Sequence, residues 1–444
     1  MSSGRSISRR GSLLAAGALL GASAAGIPGR AMAAVLPGTA DAGADAGDGT
    51  AGGDVRNGWV GSWGASPCSG ITELGSAALT VRNVVHTSLG GSEIRIRLSN
   101  AFGTSPLTLT QVTAALPVSP GSAQVEPGTM TAVTFGGQET AAIPAGAETI
   151  SDPVRLAVPA ETDLLVSVGV PADSGPATFH LHATQVNYVA ASDDHAADLA
   201  ASAFTKTTSS WFYVTGVDAL APAALGTVAT LGDSITDGVT STVGADHRWP
   251  DYLARRLLAL PPGRQCGVVN QGISGNRILL DGSAAGSSTA AAGQSAVARL
   301  QRDVLSRTGA RTLIVFEGIN DIIWVPNQLD PQVIIRGLEQ IIRQAHAVGV
   351  RVIGATITPA GGYAGGFDAQ QEATRESVNA WIRDSDTYDA VADFDAVLRD
   401  PADPQQIAPQ YDSGDHLHPN DAGYQALADS LKLPEVVNSG GDVR

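Results

Sequence analysis

Lysine is almost missing from this 444-residue chain: Lys206 and Lys432 are the only two, and every other basic side chain is an arginine. Basic residues number 27 against 43 acidic ones, a formal net charge of −16. Phosphate binding needs clustered positive charge, so no nucleic-acid partner is expected, and no stable adhesion to an anionic membrane. Aromatic residues make up only 5% of the chain, which disfavours a broad aromatic platform for glycans. There are just two cysteines, Cys68 and Cys266. In an exported protein they either pair or stay free thiols, and spacing alone decides neither. A bridge, if present, would join the front of the chain to its second half. Beyond the N-terminus there is no apolar run long enough to cross a bilayer. The G-x-S-x-G nucleophile elbow of α/β-hydrolases is absent. No metal-ligand motif is visible, so neither metal nor cofactor is expected.

What is present begins with a targeting segment. Ser8-Arg9-Arg10-Gly11-Ser12-Leu13-Leu14 reads as a twin-arginine export signal, followed by an Ala-rich apolar stretch and an Ala31-Met32-Ala33 cleavage site. Residues 1–33 are expected to be removed and the protein to be secreted. Residues 34–56, an Ala/Gly/Asp tract, have too little apolar surface to offset their ordering entropy and are predicted to be a disordered linker.

Two periodicities divide the remainder. Over residues 57–222, runs such as Glu93-Ile94-Arg95-Ile96-Arg97-Leu98 alternate with period two, and Gly, Pro and Asp punctuate them. Leu107–Thr110, Leu164–Val168 and Trp211–Val214 read likewise. An all-β, jelly-roll-like sandwich domain is predicted. Over residues 223–434, short apolar strands alternate with amphipathic helices, which predicts a parallel sheet covered on both faces. The strands are placed at Val228–Leu231, Val268–Val269, Leu313–Phe316, Val350–Ile357 and Ala390–Phe394. The helices are placed at 250–260, 296–305, 331–348, 369–384 and 420–431. Residues 435–444 are read as a flexible tail. In such folds ligands bind beyond the carboxyl ends of the strands.

Chemistry-bearing residues collect at those ends. Gly232-Asp233-Ser234 follows the first strand, and Asp415-His416-Leu417-His418 lies far downstream. A serine hydroxyl is a poor nucleophile until a base takes its proton and a third group holds that base. Ser234, His418 and Asp415 supply that set, with Asp412 in reserve for Asp415 and His416 left aside. A metal cluster of Asp415, His416 and His418 is the alternative, but no further ligand completes it. The loops Asn270–Asn276 and Gly318–Asp321 each offer a donor for a developing oxyanion. Asp233 and Asp321 are expected beside the catalytic groups, and Trp324, Trp249 and Tyr363 are candidates for a substrate groove or for core.

The four segments, in this order, resemble the four blocks of the SGNH hydrolases, also called GDSL esterases or lipases. The resemblance covers roughly residues 224–432 and is similar to secreted bacterial members with a β-rich domain in front. It places Ser234 on the nucleophile, Gly272 and Asn320 on the oxyanion donors of blocks two and three, and Asp415 and His418 on the final pair. It implies a three-layer α/β/α, flavodoxin-like domain with a five-stranded parallel sheet, and acyl transfer through an acyl-serine with no cofactor. Small acyl groups on a carbohydrate or small alcohol are the expected substrate. A lipid esterase is the rival within enzymes, and a non-catalytic carbohydrate-binding surface protein the rival outside them. Oligomeric state is not readable from the chain.

Overall fold

The computed structural model describes residues 58–71, 74, 77–283 and 290–437. The predicted leader and linker, residues 1–33 and 34–56, lie outside the described residues. Among the described residues, no helix is long and apolar enough to cross a membrane.

Among the described residues up to Leu220, the regular structure is strand apart from one short turn of helix at Ala201–Ala203, and every strand pairing is antiparallel. A six-stranded sheet contains Leu79–Thr87 and Thr162–Val170, and a four-stranded sheet contains Trp59–Gly64, Ile94–Ser99 and Val214–Leu220. Alternation makes the core. Ile94, Ile96 and Leu98 from one sheet and Val81, Val85, Val166 and Val168 from the other fill one buried cluster. The predicted run Trp211–Val214 splits in two. Tyr213 takes a left-handed backbone, φ 65°, so Trp211–Phe212 pairs with Ala177–His180 while Val214–Leu220 joins the four-stranded sheet. The strand Ala177–His180 runs on to Leu181 and His182, which reach the second region.

That second region is a three-layer α/β/α domain. Its five strands, Gly226–Gly232, Cys266–Gly272, Ala310–Phe316, Arg351–Ala355 and Ala390–Ala392, are all parallel, with spatial order second-first-third-fourth-fifth. Successive residues face opposite layers. Ala229, Leu231, Leu313 and Val315 pack under the helix Pro331–Ala347, while Val228, Ile314 and Phe316 pack under the helices Trp249–Leu258 and Asp421–Ser430. The first strand has neighbours on both sides, so the connections leave it in opposite directions. This opens a crevice at its carboxyl end.

Of residues 435–444, read as a tail, 438–444 lie outside the described residues and 435–437 do not form one. Leu433–Val436 is helical, Val436 and Val437 are buried, and the Thr312 hydroxyl donates to the Val436 carbonyl at 2.8 Å. The apolar pair Val436-Val437 closes one end of the core, so residues 435–437 belong to the fold. Cys68 and Cys266 are not bridged. Cys68 lies in the β-rich core, its Sγ donating to the Phe179 carbonyl at 3.3 Å, and Cys266 opens the second parallel strand in a different cluster. Burial pushes both thiols up, to about 12 and about 11.

The two regions are closely joined. The strand Trp59–Gly64 packs on the second parallel strand so tightly that a Cβ on Gly267 would fall on the Gly61 carbonyl oxygen. Only a glycine permits that approach. Further along the seam, His86 Nδ1 lies 2.8 Å from Asp163 and 3.2 Å from Asp246 of the second region.

Candidate active site

The crevice at the strand ends holds a cavity of about 220 Å³ lined by Ser234, Ser274, Gly275, Asn320, Trp324, Tyr363, Leu417 and His418, with Leu181 and His182 from the β-rich region. Ser234 opens a single helical turn, Ser234–Asp237, immediately after the first strand. Asp233 caps that turn by accepting from the Ile235 N–H at 2.9 Å. The Ser234 N–H, at the first helical position, makes no hydrogen bond among the described residues.

His418, the candidate base, comes from the loop before the helix Asp421–Ser430. His418 Nε2 lies 2.9 Å from Ser234 Oγ, and His418 Nδ1 lies 2.6 Å from Asp415 Oδ2. The other Asp415 oxygen accepts from the N–H groups of Leu417 at 2.9 Å and His418 at 2.8 Å. Partial burial pushes the Asp415 carboxyl up, but the His418 ring and those two N–H groups prevail and hold it well below the usual carboxylate range. It is therefore anionic and orients the ring with its proton on Nδ1, leaving Nε2 to face the serine. Asp412, the reserve candidate, is occupied elsewhere: it bonds His416 Nδ1 at 2.6 Å.

Asn320 sits just after the third strand. Its Nδ2 donates to the Asn276 carbonyl at 3.0 Å, which fixes the amide plane and leaves its second N–H toward the cavity. Gly272 does not line the cavity. The second strand runs on through Gly272, whose N–H is taken by Asn270 Oδ1 at 2.9 Å, and a Cβ there would meet the backbone of Thr236 and Asp237. The turn comes three residues later, at Gly275, with φ 78°. The signal was a second glycine in the same loop, masked by placing the end of the strand too early, at Val269.

Asp321 accepts from the N–H groups of Ile278 at 2.8 Å and Leu279 at 3.2 Å, anchoring the far side of that loop. Burial raises Asp233 to about 7 and Asp321 to about 6. Glu317, wholly buried at the end of the third strand, is raised well above the usual range by burial and by Asp233. Trp324 lines the cavity; Trp249 does not. Trp249 is fully buried, edge-on to Phe394, with its N–H on Thr236 Oγ1 at 3.3 Å. It opens an amphipathic helix on the inward stripe, so it is core rather than groove.

Sequence reasoning missed the contribution of the β-rich region. His180, Leu181 and His182 lie far from every motif, and only chain pairing brings them to the crevice. A buried arginine, Arg299, also ties the site together. It donates to the carbonyls of Gln271 at 2.7 Å and Gly232 at 3.1 Å, to Asn276 Oδ1 at 2.9 Å and to Ser66 Oγ of the β-rich region at 3.0 Å.

Residues 230–426 match the model of the GDSL-like Lipase/Acylhydrolase family. No curated protein matches the chain. Similar solved structures include a GDSL-like lipase from Bacteroides thetaiotaomicron, at 19% identity over 47% of this chain and 87% of that one, TM-score 0.35. An acetylxylan esterase from Geobacillus stearothermophilus is similar at 21% identity over 47% and 93%, TM-score 0.35. A lipolytic protein of the G-D-S-L family from Desulfitobacterium hafniense is similar at 19% identity over 46% and 96%, TM-score 0.35. By its family match, the α/β domain of this chain is a GDSL-like lipase/acylhydrolase domain.

Proposed function

We propose that the protein is a serine esterase that cleaves short acyl esters, acetyl above all, from a carbohydrate or small alcohol, and that it acts outside the cell. The observation that carries this reading is the hydrogen-bonded chain from Ser234 Oγ through His418 to Asp415, opening on the cavity. Ser234 attacks the ester carbonyl while His418 Nε2 takes its proton, and the Asp415 carboxylate stabilises the imidazolium. The tetrahedral oxyanion is received by the N–H groups of Ser234 and Gly275 and by the Asn320 amide. His418 then gives its proton to the leaving alcohol. Water, activated by the same histidine, attacks the acyl-serine and frees the acid and Ser234.

Size supports a small acyl group. The cavity, about 220 Å³, is below the roughly 300–1,000 Å³ of pockets that enclose drug-sized ligands. The twin-arginine segment supports export. The test is hydrolysis of p-nitrophenyl acetate, butyrate and palmitate by wild type and Ser234→Ala. Expected is release from acetate, reduced about 10⁴-fold or more in the variant. Activity on palmitate alone would transfer the reading to lipid esters, and equal activity of the variant would overturn the serine mechanism.

A further inference from the structure

His180 belongs to the β-rich region, yet it lies next to the nucleophile's helical turn. Its Nδ1 is 2.7 Å from the Ser66 carbonyl, and its Nε2 is 2.9 Å from Asp237 Oδ1 and 3.3 Å from the His182 carbonyl. Both ring nitrogens face oxygen atoms of acceptor groups, an arrangement that suits a ring carrying a proton on each. Burial would lower His180, but Asp237 outweighs it and raises it. His180 and Asp237 are both buried, 4% and 3% exposed. The pair is therefore desolvated, with little freedom to rearrange.

The other Asp237 oxygen accepts from the Ser274 N–H at 2.8 Å. Ser274 precedes Gly275, and both line the cavity. Asp237 itself ends the helical turn that Ser234 begins. A single carboxylate thus links the nucleophile's turn to the glycine loop, and the β-rich region holds that carboxylate in place. Asn276, the next residue, is held independently by Arg299 and by Asn320. Ile273 is held by its N–H on the Gly232 carbonyl at 3.0 Å, and Ser274, between these anchors, is held by Asp237.

Resting on the esterase reading above, we propose that His180 is a positioning residue for catalysis: through Asp237 and Ser274 it sets the Gly275 N–H toward the reacting carbonyl oxygen. The β-rich region would on this account be part of the catalytic machinery rather than a cover. Misplacing one oxyanion donor acts on the transition state more than on the bound ester.

The experiment uses the full chain with p-nitrophenyl acetate and four proteins: wild type, His180→Gln, Asp237→Asn and the double variant. Competent sites are counted by titration with a p-nitrophenyl phosphonate, so that misfolded molecules do not enter kcat. The expected result is a fall in kcat per site of about 10- to 100-fold in each single variant, with KM within about twofold. The double variant should lose no more than the worse single one, because the two residues act through one link. Unchanged kcat per site in either single variant, or losses that multiply in the double, would overturn the proposal. If His180→Gln does not fold, Asp237→Asn decides on the same criterion. Failure of the esterase reading is distinguishable: wild type would then show no Ser234-dependent hydrolysis at all, and the positioning role would fall with it.

Discussion

The two halves of this molecule solve different problems with the same strands. In the β-rich half, alternate side chains fill the common core, and on the opposite face Val84 and Leu165 pack with Ala115 and Val125 in a second, smaller cluster. In the α/β half, both faces of the sheet are covered, so the sides offer no place for a ligand and the chemistry moves to the strand ends. Ser234, Gly275 and Asn320 all lie within a few residues of the end of a parallel strand. The β-rich half has no such row of ends, yet Ala177–His180 terminates against the crevice of its neighbour and delivers Leu181 and His182 to the cavity wall. One half holds the candidate catalytic groups; the other adds part of the cavity wall around them.

That division can be broken most decisively by pairing a site change with a core change. Asn320→Ala should lower kcat per competent site about 10²–10³-fold, with about 1–3 kcal/mol of stability lost because the buried Asn276 carbonyl loses its donor. Leu98→Ala, fully buried in the β-rich core, should cost about 2–5 kcal/mol of stability while kcat per competent site stays unchanged. Steady-state kinetics and thermal melts on the same preparations read both. A Leu98 variant that folds but loses turnover would show that the halves are mechanically continuous.

A sharper comparison sets two glycines of one loop against each other. Gly272→Ala drives a methyl into the backbone of the nucleophile's turn and should cost about 1–3 kcal/mol in denaturant unfolding. Gly275→Ala keeps the fold more nearly intact, since its added Cβ meets only the Ala292 methyl, but its positive φ is strained and kcat should fall. The opposite pattern would return the oxyanion role to Gly272.

The smallest effect concerns the seam. Burial would lower His86, but Asp163 and Glu161, helped by Asp246 and Asp251, overcome this and hold it at about 10. A histidine raised on folding stabilises fully below its unfolded value of about 6.5. That contribution then declines as pH rises through about 10. Tm should therefore drop over this interval in wild type, and the drop should be shallower in His86→Gln. Parallel curves would mean that the cluster contributes no protonation-dependent stability.

Where the sequence was readable, the reason is local. Helix Pro331–Ala347 begins at the capping residue Asp330 and shows its apolar stripe, Ile334, Ile335, Leu338, Ile341 and Ile342, in consecutive turns. Asp415 and His418 sit in one short segment, and Ser234 follows a strand with a glycine break. Gly275 was harder because strand ends depend on pairing partners, and Cys266–Gly272 is extended by the neighbouring first strand. Trp249 reads equally as groove or core until its helix is set on the sheet. His180 and Asp237 are 57 residues apart, and nothing periodic connects them. The pairing of Ala177–His180 with Trp211–Phe212 and Ser69–Ile71 is what brings them together.

The base and the acid that orients it occupy a span of four residues, closed by the backbone bonds from Leu417 and His418 to Asp415. They form a single cartridge. Any motion of the loop carries both groups together, so the bond between them survives while the distance to Ser234 changes.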